Sequence, residues 1–138
     1  MTPVANPAAI PHNSALMRWL LHGSLSPAVA QALLRHKQVV NDLAQAGLVP
    51  NAPAEAVLRL AAQRQWDIIT NDPNLARQVF DQPVRLGRCI VLLQLAGGEV
   101  EQDDAIDRLF ARYRRLSPGR LYTVTESRVK VRQLPRGS

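Results

Sequence analysis

The stretch Trp66-Asp67-Ile68-Ile69-Thr70-Asn71-Asp72-Pro73-Asn74-Leu75 decides the fold. Ile68 and Ile69 are β-branched and Trp66 leads in, so Asp67 to Thr70 reads as a short strand. Asn71 to Asn74 breaks it. Pro73 cannot continue a central ladder, and it moves Asp72 away from helical backbone angles. Asp72 suits the N-cap of a helix over 73–80, with Pro73 in the first helical position. An acid therefore sits where a buried strand ends and a helix starts, the edge at which open α/β sheets build their sites. Two readings of Asp72 stand side by side: a cap alone, or a cap that also faces a site.

Outward from this stretch, strands and helices alternate. Residues 15–21 (ALMRWLL) form an apolar run of strand length, and His22-Gly23-Ser24 is the loop at its carboxyl end. Ser26-Pro27 opens a helix over 27–35. Val39 and Val40 carry a short strand over 38–41, and Leu43 to Leu48 a helical turn closed by Gly47. Pro53 to Arg64 has apolar residues at helical spacing, with Glu55 in its first turn complementing the helix dipole. Residues 89–95 (CIVLLQL) are almost wholly apolar, as befits a parallel strand buried on both faces. A helix over 102–116 follows, with Asp103 and Asp104 early and Arg114 and Arg115 late. Residues 121–125 and 128–134 pair as a hairpin, placing Val129 and Val131 against the protein and Arg128, Lys130 and Arg132 toward water. The pattern predicts a three-layer α/β fold with a mainly parallel central sheet and a carboxyl-terminal β-hairpin.

At 138 residues the chain fits one domain with a sizeable core. We divide it into a flexible leader over 1–14 with three prolines and an exposed His12, a domain over 15–135, and a tail over 136–138. The apolar share of 46% is ordinary, and 4% aromatic content leaves the core to Leu, Val, Ile and Ala. The single cysteine, Cys89, lies in an apolar run and reads as a buried free thiol, so a disulfide scaffold is excluded. No apolar run approaches the roughly 20 residues of a membrane span. No basic region leads an apolar core at the start, as a secretory signal would, so a reducing, cytoplasmic setting is expected.

The net charge of +6 favours an anionic partner. Residues 108–136 hold nine Lys or Arg against Glu126 alone. Such a run is commonly a solvated face; its functional reading is a phosphate-contacting surface, with Arg112, Arg115, Arg128, Lys130 and Arg132 as candidates.

Three places resemble the minimal PIN-like domains related to VapC-type ribonuclease toxins. Leu20-Leu21-His22-Gly23-Ser24-Leu25-Ser26-Pro27 stands where that family has an apolar strand, then Asp-Glu-Asn-Leu-Pro/Ser-Pro. Pro53-Ala54-Glu55-Ala56-Val57-Leu58 is similar to its Ser-Asp-Glu-Glu-Ile-Leu. Ile68-Ile69-Thr70-Asn71-Asp72-Pro73-Asn74-Leu75 resembles its apolar strand followed by Thr-x-Asp-x-Asp-Phe. The likeness spans about residues 16–135. It implies a metal-dependent ribonuclease in which Asp72 and Glu55 are catalytic and hold Mg²⁺ or Mn²⁺ with Asn74 and His22, RNA as the substrate, and an antitoxin or a second copy as a protein partner.

The departures are as informative. His22 stands where the family has an Asp, Ala54 where it has another, and Asn74 where it has a third. Mg²⁺ prefers oxygen ligands, and imidazole suits transition metals. The acidic site is thus degenerate, which implies weakened cleavage. The alternative is an impaired PIN-like module that binds RNA or a protein without cutting. Either way His22, Glu55, Asp72 and Asn74 are expected in one pocket at the carboxyl edge of the sheet.

Overall fold

The computed structural model describes residues 17–81 and 86–135. The leader with His12, residues 15 and 16 of the first expected strand, part of the connector after residue 81, and the tail lie outside them. The elements are β1 (Arg18–His22), α1 (Pro27–Arg35), β2 (Val39–Asn41), α2 (Ala54–Arg64), β3 (Asp67–Thr70), α3 (Pro73–Asp81), β4 (Ile90–Leu93), α4 (Glu99–Arg112), β5 (Arg120–Val124) and β6 (Val129–Gln133).

The six strands make one sheet in the order β2-β1-β3-β4-β5-β6. The first five are parallel, and β6 returns antiparallel to β5. This is the expected three-layer α/β fold with a mainly parallel sheet. The chain runs outward from β1 to β2, then crosses back over β1 to β3. In an open sheet that reversal leaves a crevice between the carboxyl ends of the two strands. Register sets His22 directly beside Thr70 across it.

Two apolar layers flank the sheet. Ile68, Ile90 and Leu121 pack with Leu58 of α2 and Leu75 and Val79 of α3. Ile69, Val91, Tyr122 and Val124 pack on the other side with Val29 and Leu33 of α1 and Ile106 and Leu109 of α4. Every residue of β3 and β4 is buried, so alternate side chains feed opposite layers. Cys89 is fully buried, and burial pushes its thiol well up from its ordinary value.

Several boundaries differ from expectation for local reasons. His22 is the last residue of β1 and lies in the ladder, not in the loop. The last helix starts and ends earlier than 102–116. Glu101 accepts the Gly98 N–H at 2.9 Å and caps the start. Its first turn therefore carries Glu99 and Glu101, and its last turn Arg112. After it, Tyr113 is extended (φ −125°, ψ 102°), and the Ser117 N–H reaches the Tyr122 hydroxyl at 2.8 Å. Arg114 and Arg115 thus lie past the helix. Val131, expected against the protein, is 38% exposed on the edge strand.

The start of β3 holds a feature the motif reading passed over. Asp67 is fully buried; its carboxylate accepts the Cys89 N–H at 2.9 Å and an Arg88 N–H at 3.2 Å. Burial raises its carboxyl above the ordinary value in spite of both partners. Among the described residues no helix is long and apolar enough to cross a membrane.

Candidate functional site

The crevice between β1 and β3 is tied together by side chains from both following loops. Thr70 Oγ1 lies 2.8 Å from His22 Nδ1 and also accepts the Asp72 N–H at 2.9 Å. One hydroxyl thereby fixes the imidazole and the start of the loop toward α3. Asn71 clamps the other side: its Oδ1 accepts the Ser24 N–H at 2.9 Å, and its Nδ2 donates to the Ser24 carbonyl at 3.1 Å. The clamp is possible because residue 23 is glycine. Its φ is +92°, and a Cβ there would stand 2.4 Å from Asn71 Oδ1.

Burial holds the His22 imidazole below its ordinary 6.5, and the negative charge of Asp72 opposes that fall in part. At neutral pH His22 is therefore an uncharged imidazole with a carboxylate acting on it. Asp72 is an N-cap in fact: its Oδ1 accepts the Asn74 N–H at 2.9 Å, and its carbonyl accepts the Leu75 N–H at 3.2 Å.

The four expected ligands turn to different partners. His22, Thr70 and Asp72 share one network. Asn74 Oδ1 accepts from Arg77 at 2.8 Å, one turn along α3. Glu55, at the start of α2, pairs with Arg59 at 2.6 Å, with both side chains more than half exposed. Such an exposed pair is worth about 0.3–0.5 kcal/mol and opens easily. Among the described residues, no three His, Cys, Asp or Glu side chains gather to hold a metal ion. A hard cation needs several converging oxygens. The donors as placed, with imidazole and amide where carboxylates would concentrate charge, do not fit Mg²⁺.

Beside this crevice, between the end of β1, α1 and the loop after β2, lies a cavity of about 330 Å³ with Leu21, Leu25, Ala30, Leu43 and Pro50 in its wall. Asp42 borders it, but its carboxylate caps the following turn through the Gln45 N–H at 2.7 Å.

The expected basic surface divides. Lys130 pairs with Thr123 and Arg132 with Leu121, so both point to the α2/α3 layer. Arg132 lies over the Phe80 ring at 3.9 Å, where its stem and charge cover an aromatic. Arg112 and Arg128 lie on the other side and line a groove together with Arg108. Arg115, past the end of α4, is exposed.

Three residues matter more than their sequence positions suggest. Thr70 and Asn71 sit inside the third motif, but a hydroxyl and an amide there look like loop polarity until the strand pairing sets them against His22 and Ser24. Arg108 reads as one charge of many on a helix. No family model, curated protein or solved structure matches the chain.

Proposed function

We propose that this chain is a PIN-like module that binds RNA by its phosphates and cuts it slowly or not at all. The observation that carries the reading is the state of the switch-point crevice. Each of His22, Glu55, Asp72 and Asn74 is engaged by a protein partner, and among the described residues no three His, Cys, Asp or Glu side chains gather. The net charge of +6 supports the anionic partner. In this reading Thr70, Asn71 and the Asp72 cap hold the two loops at the crevice, and the arginines on the outer layers meet the RNA backbone.

The second reading, a toxin-type metal-dependent ribonuclease, is favoured by one observation. Asp72 acts electrostatically on His22, so two of the four expected ligands are near neighbours. One experiment separates the two. Single-stranded RNA binding is measured over a range of salt, and single-turnover cleavage is measured with Mg²⁺ and with Mn²⁺. The parent should bind with an affinity that falls as salt rises, and leave the RNA intact with Mg²⁺. The folded variant His22→Asp with Asn74→Asp should gain metal affinity, since affinity for hard cations rises with ligand charge. Rapid Mg²⁺-dependent cleavage by the parent, lost in Asp72→Asn, would make the second reading the correct one.

A further inference from the structure

We infer that the groove between α4 and the turn joining β5 to β6 is a phosphate seat, in which Arg108, Arg112 and Arg128 hold the backbone of a single RNA strand. The inference deepens the RNA-binding reading and rests on it for the nature of the strand. The groove has a volume of about 470 Å³ and is lined by Arg108, Ala111, Arg112, Ser127, Arg128 and Val129. Half of its lining is arginine, and none is acidic. The two acids next to the lining in sequence turn elsewhere, Glu126 to the Ala96 N–H and Asp107 to Arg35 and His36.

Each arginine is positioned by its element. Arg108 and Arg112 are four apart on α4, so they share a face with roots about 5–6 Å apart. Asp104, one turn back, holds Arg108 at 3.5 Å but is itself 69% exposed on its side chain, so the pair does not neutralise the groove. Arg112 lies against the Tyr113 ring, its guanidinium 5.7 Å from the centroid. Arg128 is set at the rim by its turn, where its carbonyl accepts the Thr125 N–H at 2.9 Å and its N–H donates to Thr125 Oγ1 at 3.2 Å. Its guanidinium has no protein partner among the described residues.

Two helical arginines and one from a facing turn therefore line one space, with Arg108 Nε turned to Asp104 and Arg112 Nε to the Tyr113 hydroxyl. Arginine forks match phosphate oxygens in pairs, and Ala111 and Val129 leave an apolar floor for a sugar. The same geometry excludes Lys130 and Arg132 from the seat, because strand alternation sends them to the opposite layer.

The test compares two triple variants of equal charge loss for binding to a fluorescent oligouridine. Arg108→Gln, Arg112→Gln and Arg128→Gln empty the groove; Arg115→Gln, Lys130→Gln and Arg132→Gln remove three charges outside it. A third arm titrates pyrophosphate into the unmodified protein and follows the arginine Nε–H NMR signals, so it does not depend on any variant folding. We expect the groove variant to lose at least about tenfold in affinity and about 2 in the slope of log affinity against log salt, with a loss under about threefold in the control. Pyrophosphate should shift the Arg108, Arg112 and Arg128 signals saturably. RNA binding that falls equally in both variants, with no pyrophosphate shifts, overturns the groove and leaves the RNA reading standing. Pyrophosphate binding in the groove with no RNA binding by the parent overturns the RNA reading and leaves an anion seat. A polyglutamate peptide that competes as well as RNA overturns the nucleic-acid assignment of the seat.

Discussion

Replacing Gly23 by Ala tests whether the clamp across the crevice works as described. Alanine at φ +92° pays backbone strain of about 1–2 kcal/mol. Its Cβ also meets Asn71 Oδ1 at 2.4 Å, which forces the amide away. That breaks the two bonds to Ser24, each worth about 0.5–1.5 kcal/mol. Gly23→Ala should therefore cost about 2–5 kcal/mol, summing those two terms. Asn71→Ala alone removes the clamp, at about 1–3 kcal/mol. Once the amide is gone the nearest atom is the Thr70 hydroxyl at 3.3 Å, which needs to give by only a few tenths of an ångström, so Gly23→Ala in that background should cost little beyond the strain, about 1–2 kcal/mol. The double variant falls short of the summed singles by the value of the clamp, a coupling that urea denaturation of all four proteins reads directly. Equal costs for Gly23→Ala in both backgrounds would refute the clamp. The Thr70 hydroxyl, 3.3 Å from the same Cβ, would then be the group at fault, and Thr70→Ala would rescue instead.

Further expectations follow from the same geometry. The His22 imidazole should titrate below 6.5 by NMR, and lower still in Asp72→Asn, which removes the charge that opposes burial; a higher value in that variant would mean Asp72 is not near the ring. Because the unfolded chain takes up the His22 proton at higher pH than the folded one, His22 contributes stability above 6.5 that is lost as pH falls below it. A His22→Asn variant should show a shallower loss of stability over that window. Asp67→Ala strands Arg88 and the Cys89 N–H and should cost about 3 kcal/mol in thermal or urea unfolding, with Asp67→Asn milder because it keeps an acceptor. Val131→Thr should change stability by less than about 0.5 kcal/mol, since Val131 is exposed; a loss above about 1 kcal/mol would place it against a surface after all.

Much of the architecture was legible from local chemistry. Ser26-Pro27 started α1 where expected, because a capping hydroxyl and a proline act within one turn. Asp67 to Thr70 is a strand with the bounds read from its β-branched pair. Asp72 caps α3, as an Asp-Pro pair predicts. The unbroken apolar run around Ile90 forced a strand buried on both faces and hence a layered fold. Helical periodicity continues into Tyr113 and so predicts a later end for α4 than the structure has, since the backbone is already extended at Tyr113.

By itself, then, the sequence determined the strands, most helix starts, the three-layer class and the excess of positive charge, since propensity, capping and periodicity act over a few residues. Only the tertiary structure decided strand order, and with it that His22 and Thr70 are partners across 48 residues of chain. It also decided that Glu55 and Asn74 turn to neighbouring arginines, and that the basic residues of the carboxyl-terminal third divide between two faces of the sheet. A residue's type fixes what it can bond. Which donor reaches which acceptor depends on strand register and alternation between distant segments, and that is settled only when the sheet closes around its two cores.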